Sequence, residues 1–300
     1  MSSAAPLPTG DRPARLRVGI VSAGRVGSAL GAALARAGHD VVAVSAVSDR
    51  SVRRAQALLP GVTVLPPDEV VAAAEFVLLA VPDDALRALV AGLAATEAWR
   101  PGQLVAHTSG SHGIDVLDPA AARGVVALAL HPVMTFAGRA EDVDRLAGSS
   151  WGVTAPEEMR PVAEALVLEM GGEPVWVPES ARALYHAALT VGSNHLVTLV
   201  NDALALLAAA GVEQPARLVA PLLSASLDNV LRLGDAALTG PVSRGDVATV
   251  GAHLRTIAAE APEQLPAYVA MARRTAERAE AAGTLDPARA DAVRRMLEEA

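Results

Sequence analysis

One stretch near the start of the chain constrains the fold more than any other, the run from Arg17 to Gly31 with the sequence RVGIVSAGRVGSALG. An apolar segment ends in a turn of small residues, and a helical pattern begins directly after it. This order is typical of a strand, a tight loop and a helix N-terminus, where free backbone N–H groups and the helix dipole favour a pyrophosphate. Gly24 and Gly27 match the second and third glycines of the dinucleotide-binding fingerprint, whereas Ser22 stands where the first is expected. We expect a dinucleotide site here; the alternative is a glycine-containing turn that binds no ligand.

The composition is that of a globular protein with room for two cores, since 300 residues include 52% hydrophobic and 19% charged residues. Residues 1–15 contain three prolines and no apolar run, and we predict a disordered leader there. No stretch approaches the roughly 18 apolar residues of a membrane span. The formal net charge of −8 argues against a nucleic-acid surface. We therefore expect neither a membrane nor a nucleic acid as partner.

The absence of two residue types removes several chemistries. Without cysteine the chain has no disulfide, thiolate metal site or cysteine nucleophile, which is typical of a cytoplasmic protein. All 25 basic residues are arginine, so a mechanism that needs a lysine is excluded within the chain. We predict no metal site.

Polar or glycine-bearing segments follow the apolar runs of the first half, one after another. In a doubly wound parallel sheet the carboxyl ends of the strands share one edge, and ligands bind in the crevice outside that edge. We therefore predict an α/β fold whose N-terminal domain is a Rossmann-type doubly wound, mostly parallel sheet. The residues expected to contact the cofactor are Ser22, Ala23, Gly24, Arg25, Val26, Gly27, Ser48, Arg50, Val81, Pro82 and His107.

The end of the second predicted strand bears on the choice between NADP and NAD. An acid at this point binds the ribose hydroxyls of NAD, whereas arginine accommodates the 2′-phosphate of NADP. The acid position falls near Ser45, which is uncharged, while Ser48 and Arg50 follow as candidate phosphate ligands, with Arg53 or Arg54 as further possibilities. We favour NADP (NADPH); Asp49 keeps NAD open, and a solvated loop before a helix is the alternative. Asp83 is expected to cap the helix after Pro82.

The pattern changes at about residue 178, after a last predicted strand from Pro174 to Val177. We predict a dinucleotide-binding domain over residues 16–178 and an all-α domain over residues 179–300 for substrate binding and dimerisation. Its first helix, Glu179 to Ala210, is apolar on almost every side, and we expect it to be buried. A polar stripe recurs on it every four residues, at His186, Thr190, Asn194 and Thr198. The stripe either pairs with other helices or lines a cleft, and mid-helix Gly192 suggests close packing.

Several motifs over about residues 16–260 together resemble one family. They are Ala23–Gly27 (AGRVG), Ala80–Asp83 (AVPD), His107–Gly110 (HTSG), His131–Gly138 (HPVMTFAG), Tyr185-His186 with Asn194-His195, and Thr239–Asp246 (TGPVSRGD) with Thr249 and His253. The chain resembles Rossmann-like NADP-dependent oxidoreductases with an uncharacterised C-terminal helical domain, in the 6-phosphogluconate-dehydrogenase-like group. Pyrroline carboxylate reductases and ketopantoate reductases are its relatives. The resemblance implies a nicotinamide over the sheet edge and a substrate between it and the long helix.

The expected reaction is NADPH-dependent reduction of a C=O or C=N bond in a small carboxylate-bearing metabolite, with a ketopantoate-like 2-keto acid preferred. Related hydroxyacid dehydrogenases use a lysine that this chain lacks, so His186 is the expected proton donor and His131 a second candidate acid. Asn194 and Ser109 would polarise the reacting oxygen, and Arg244 would bind the carboxylate. A pyrroline-type imine reductase and a non-catalytic NADP sensor are the alternatives. Fold-level analogy favours a homodimer.

Overall fold

The computed structural model describes residues 15–299, and its first half is organised by an eight-stranded sheet. The strand order is β3-β2-β1-β4-β5-β6-β7-β8, and every neighbouring pair is parallel except β6 with β7. The predicted doubly wound, mostly parallel sheet is confirmed. The strands are β1 (Arg17–Val21), β2 (Asp40–Val44), β3 (Thr63–Val64), β4 (Phe76–Leu79), β5 (Leu104–His107), β6 (Val126–Pro132), β7 (Ser150–Thr154) and β8 (Glu173–Trp176).

Helices cover both faces of this sheet. Side chains alternate along each strand, so Leu78 of β4 packs into one apolar cluster while its neighbours Val77 and Leu79 pack into the other. This two-sided burial explains why the strands read as continuous apolar runs. The helices are α1 (Arg25–Arg36), α2 (Asp49–Leu58), α3 (Pro67–Ala73), α4 (Asp83–Ala95), α5 (Asp118–Ala121), α6 (Glu141–Asp144), α7 (Arg160–Glu169) and α8 (Arg182–Thr190).

The rest of the described chain is helical. A π-helical segment, Val191–His195, links α8 to α9. The remaining helices are α9 (Leu196–Ala209), α10 (Pro215–Leu233), α11 (Pro241–Arg244), α12 (Val247–Glu260), α13 (Leu265–Ala281) and α14 (Pro287–Glu298). The predicted all-α character of this part is confirmed.

The chain divides into two compact units between Val191 and Gly192. The domain boundary predicted at about residue 178 stays a prediction; that position lies just after β8. The predicted leader, residues 1–15, lies outside the described residues except for Arg15. No helix within residues 15–299 has both the length and the apolar character needed to cross a bilayer.

The second unit has its own core, formed by α12, α13 and α14 around Val250, Ala276 and Val293. The long helix differs from the prediction. No residue of α9 is buried, and the space that a side chain at Gly192 would enter is open. Within residues 15–299 this helix is therefore not buried and nothing packs closely at Gly192, because the apolar core of the second unit is formed by α12, α13 and α14.

Candidate functional site

The turn after β1 adopts the geometry of the dinucleotide fingerprint with a serine in place of its first glycine. Ser22 has φ 76°, in the left-handed region that glycine normally occupies. Its backbone N–H donates to the Ser45 hydroxyl at 2.8 Å, and the next N–H, of Ala23, donates to the Ser45 carbonyl at 2.7 Å. Ser45 is only 6% exposed. Ser45, the residue at the expected acid position, therefore stabilises the strained turn at Ser22. The serine in place of the first glycine and the serine in place of the acid are thus hydrogen-bonded to each other.

The two glycines of the motif have different roles. A Cβ on Gly27 would overlap the Ser22 carbonyl oxygen and lie 3.0 Å from the Ala80 Cβ atom, so Gly27 allows α1 to pack on the turn. A Cβ on Gly24 would meet only the Ser22 hydroxyl oxygen, at 3.6 Å. Gly24 is the N-cap residue of α1, and no side chain caps this helix. The first-turn N–H groups of α1 are thus available for an anion.

A crevice of about 820 Å³ opens beside this turn. The cofactor residues predicted from the sequence that line it are Ser22, Ala23, Gly24, Arg25, Ser48, Arg50, Val81 and Pro82. Val26 and Gly27 do not line it, since Gly27 is buried and Val26 packs on the apolar core. Sequence reasoning missed Val21, Ser45, Ala46, Val47, Ser51, Pro67, Ala85, Leu89 and Ala137. All nine are uncharged and mostly small or apolar, so no charge pattern in the sequence marked them.

The charged side chains found on this crevice are arginines. Arg25, Arg50 and Arg54 line it, and no acidic residue within 15–299 does. A Cβ on Gly138 would lie 2.7 Å from Arg54 Nε and 2.8 Å from Arg25 Cγ, so these two side chains converge on one backbone segment. None of the three forms an ion pair within residues 15–299. The crevice therefore suits a ligand with several negative charges.

Two of these arginines lie on α2, and two serines cap the N-terminus of that helix. Ser48 is the N-cap residue of α2, and its hydroxyl accepts the Ser51 N–H at 3.2 Å. The Ser51 hydroxyl in turn accepts the Ser48 N–H at 3.0 Å, which completes a capping box. Ser48 thus stabilises the helix as well as lining the crevice, and Arg50 and Arg54 lie one turn apart on α2.

The loop after β5, residues 107–113, is held by His107. This side chain is fully buried. Its Nδ1 accepts the Ser109 N–H at 3.2 Å, so Nε2 carries the proton and donates to the Gly113 carbonyl at 2.7 Å. Burial lowers the pKa of His107 to about 4. The predicted contact between His107 and a cofactor was wrong, because both ring nitrogens are bonded to backbone inside the protein.

Ser109 and Asp83 also have roles other than those predicted. Ser109 is 4% exposed, and its hydroxyl accepts the His112 N–H at 3.2 Å and lies 3.2 Å from the Ser111 hydroxyl. The Ser111 hydroxyl donates to Asp83 Oδ2 at 2.6 Å. Ser109 therefore supports the loop, and its predicted direct contact with substrate is not available. Pro82 is the N-cap residue of α4 and Asp83 makes no capping bond, so the capping role was also wrong.

The surroundings of Asp83 favour its ionised form. Burial raises its pKa, but the hydrogen bonds from Ser111 and Ser109 and the attraction of His186 and His112 outweigh burial and leave the pKa below its usual value. The start of α4 thus places a carboxylate near His186 and His112.

His131 and His186 meet above Gly110. A Cβ on Gly110 would lie 2.7 Å from His186 Cδ2 and 2.9 Å from His131 Nε2, so only glycine leaves room for both rings. The ring centroids are 6.2 Å apart and the planes are perpendicular. His131 Nδ1 lies 2.8 Å from the Tyr185 hydroxyl. Burial first, and then the charges of Arg182 and His186, lower the pKa of His131 to about 4. The structure therefore brings together both predicted histidines.

Asn194 and Arg244 belong to the second unit. Asn194 is exposed in the π-helical segment, and its carbonyl accepts the Thr198 hydroxyl at 3.2 Å. Thr190 bonds the His186 carbonyl in the same way, so these two threonines of the polar stripe find partners on their own helix. Arg244 is exposed at the end of α11. The roles of Asn194 and Arg244 toward a substrate stay predictions.

Two family models match the chain. Residues 3–132 match a Rossmann-like domain, and residues 149–275 match a domain of unknown function, DUF2520. The chain combines a Rossmann-like domain with a DUF2520 domain. This combination confirms the family resemblance found from the motifs. The sequence matches none of the curated proteins at a significant level.

Solved structures share the fold of this Rossmann-like and DUF2520 pair. A candidate NADP oxidoreductase from Bacteroides fragilis is 22% identical with a TM-score of 0.71, over 87% of this chain and 98% of that chain. An imine reductase from a Pseudomonas species is 17% identical with a TM-score of 0.65, over 90% and 96%. A Plasmodium falciparum pyrroline carboxylate reductase with NADP bound is 13% identical with a TM-score of 0.55, over 94% and 98%. Similarity at these identities establishes the fold alone.

Proposed function

We propose that this protein is an NADP-dependent oxidoreductase that reduces a C=O or C=N bond of a small carboxylate-bearing metabolite. The observation that carries the proposal is the crevice with an uncapped helix N-terminus and three arginines without carboxylate partners among the described residues. Pro82 lines this crevice, and the next residue, Asp83 at the start of α4, accepts a hydrogen bond from Ser111 in the loop whose Gly110 lies against both histidine rings. A cofactor crevice and a proton-donating group therefore lie at one edge of the sheet.

The lining residues fit a phosphorylated dinucleotide. The N–H groups of the first turn of α1 suit the pyrophosphate, because Gly24 leaves space beside them. Arg50 and Arg54 with Ser48 and Ser51 suit the 2′-phosphate, whereas Asp49, which kept NAD open, does not line the crevice. When bound, the nicotinamide would supply the hydride for the reduction.

The chain's own contribution to the chemistry is a proton and a set of hydrogen bonds. Reduction of a carbonyl develops negative charge on its oxygen, which needs a proton donor. His186 is the proposed donor, since its ring makes no hydrogen bond to protein within residues 15–299 and lies beside His131 and Gly110. A 2-keto acid of the ketopantoate type is the preferred substrate, and the likeness to an imine reductase favours a cyclic imine as the second candidate.

Cofactor binding gives the first test. We expect Arg54→Ala to weaken NADPH about 10- to 100-fold through loss of a charge-assisted contact, and to change NADH affinity less than about twofold. Arg53→Ala is the matched control, because Arg53 is exposed and does not line the crevice. Fluorescence titration of both cofactors measures these affinities. An equal loss for NADH would show that the phosphate site is misplaced, and failure of both cofactors to bind below millimolar concentration would remove the proposal.

Turnover separates the candidate functions. A panel of 2-keto acids and cyclic imines with NADPH should reveal saturable oxidation of the cofactor by at least one substrate class. His186→Ala should lower kcat/KM about 100-fold or more for a keto acid and much less for an imine, which needs less acid assistance. Cofactor binding with no turnover on the whole panel would instead favour the NADP sensor.

We also propose that the protein is a homodimer joined through α9 and α10. Apolar side chains spread over these two helices are exposed, and α10 buries only Val219. A helix that is apolar over most of its surface needs a cover, and a second copy presents a matching surface. The exposed side chains are Leu196, Val197, Leu199, Leu218, Leu222, Leu227, Val230, Leu231 and Leu233. Sedimentation at micromolar concentration should give a dimer and Leu222→Glu a monomer; a monomeric wild-type protein would contradict the proposal.

The cytoplasmic location stays a prediction.

A further inference from the structure

Tyr185 of α8 and His131 of the sheet form a hydrogen-bonded pair. His131 of β6 lies opposite Gly152 of β7, and a Cβ on Gly152 would overlap the Tyr185 hydroxyl and lie 2.6 Å from its Cζ. Only glycine on β7 therefore admits the phenol. The hydroxyl reaches His131 Nδ1 at 2.8 Å, and the two rings meet edge to face with centroids 5.7 Å apart.

A buried cation lies beside this pair. Arg182 is 2% exposed, and its guanidinium donates to the Thr154 hydroxyl at 2.8 Å and to the Ala129 and Gly152 carbonyls at 3.2 Å each. It forms no ion pair within residues 15–299, and its Cζ lies 5.8 Å from the centroid of the Tyr185 ring. A permanent positive charge is thus fixed between β6, β7 and α8.

The surroundings of His131 favour its neutral form. Burial disfavours a positive charge on the His131 ring, Arg182 and His186 of α8 disfavour it further, and Asp83 of α4 favours it. Tyr185 keeps its proton, because burial raises the pKa of the phenol above its usual value and outweighs the Arg182 charge and the Gly152 backbone, both of which lower it. Within residues 15–299 the hydrogen-bond partner of the Tyr185 hydroxyl is His131 Nδ1, so the protonated phenol donates to that nitrogen. The single proton of a neutral His131 then sits on Nε2, the atom that faces Gly110 and His186.

We propose that Tyr185 is a positioning residue that holds His131 as its Nε2–H tautomer, so that His131 donates a hydrogen bond to the reacting oxygen or nitrogen while His186 supplies the proton. This inference rests on the proposed reductase function and replaces the expectation that His131 is a second acid. Reduction adds a hydride to the substrate carbon and a proton to its oxygen or nitrogen. His186 gives up that proton and regains one from water, whereas His131 keeps its Nε2 proton throughout.

The chain contains its own control, because its other tyrosine makes the same bond elsewhere. The Tyr268 hydroxyl lies 2.8 Å from His253 Nδ1, within the second unit. Tyr185→Phe and Tyr268→Phe therefore remove equivalent hydrogen bonds, only one of which touches the proposed site.

Long-range ¹H–¹⁵N correlation of the histidine rings in the full chain, without cofactor, reads the tautomer directly. The His131 signals, assigned by their loss in His131→Gln, should show the neutral Nε2–H form from about pH 5.5 to 8. Tyr185→Phe should turn them into a mixture of tautomers, and Tyr268→Phe should change only His253. An Nδ1–H or charged His131 at neutral pH in the wild-type protein would overturn the proposal whether or not the protein is an enzyme.

Kinetics then test the role of the tautomer. Tyr185→Phe should lower kcat about 10- to 100-fold, with KM and NADPH affinity within about twofold, since the loss concerns a donor to the reacting atom. Tyr268→Phe should leave kcat within about twofold. Unchanged turnover in a folded Tyr185→Phe variant would overturn the donor role. If the tautomer is as expected but no substrate is turned over, the reductase proposal and the donor role both fail while the positioning of His131 stands.

Discussion

The two glycines of the opening motif should respond in opposite ways to a single methyl group. At Gly27 the added Cβ would overlap the Ser22 carbonyl oxygen and lie 3.0 Å from Ala80 Cβ and 3.1 Å from Ile20 Cγ2. Backbone and buried side chains cannot yield cheaply, so overpacking of about 1–3 kcal/mol or more is expected, against about 1 kcal/mol gained from alanine in a helix. Gly27→Ala should therefore lower the free energy of unfolding by about 1–2 kcal/mol.

Gly24→Ala should instead spare the fold and weaken the cofactor. Gly24 has φ −70°, which alanine adopts freely, and its new Cβ would meet only Ser22 Oγ at 3.6 Å. The free energy of unfolding should change by less than about 1 kcal/mol, the range for loss of a glycine N-cap. The methyl group would stand beside the first-turn N–H groups, where a pyrophosphate must approach closely, and should raise the Kd for NADPH about tenfold or more.

Urea unfolding and NADPH fluorescence titration on both variants check this contrast. The reasoning would be refuted if Gly24→Ala lost as much stability as Gly27→Ala, or if it bound NADPH as the wild-type protein does. The first result would mean that Gly24 is needed for the turn itself. The second would mean that the pyrophosphate does not lie at the N-terminus of α1.

Two further predictions concern stability. Ser22→Gly should raise the free energy of unfolding in urea by about 0.5–1 kcal/mol, because φ 76° strains a serine. Ser45→Ala should lower it by about 1–3 kcal/mol, because the Ser22 N–H loses its partner. Effects of the same sign and size in the two variants would contradict the pairing of Ser22 with Ser45. The pKa of His107 is about 4 in the folded protein, below its usual 6.5, so its contribution to stability is complete above about pH 6.5 and is lost as pH falls toward 4. It should amount to about 2 kcal/mol between pH 7 and pH 5, and His107→Gln should flatten the pH dependence in this window by about half, since His131 is shifted similarly; an unchanged slope would argue against a neutral buried His107.

The sequence by itself determined the parts of this protein that depend on short-range physics. The β1-turn-α1 unit could be predicted because apolar runs, small turn residues and a helical period follow one another within one segment, and the parallel sheet follows from several such units. The N-caps Asp246 and Asp286 also depend on short-range contacts alone, since each accepts hydrogen bonds from N–H groups no more than three residues ahead.

Only the tertiary structure decided what the polar residues at the strand ends do. His107 and His131 both come at the ends of apolar strands, yet the first is enclosed by its own loop and the second bonds Tyr185 and lies against Gly110 and His186. Asp83 reads as a helix cap because capping is local, but Ser111, 28 residues away, competes for it. Side-chain pairing depends on which distant atoms the fold brings within about 3 Å, and neither periodicity nor propensity contains that distance.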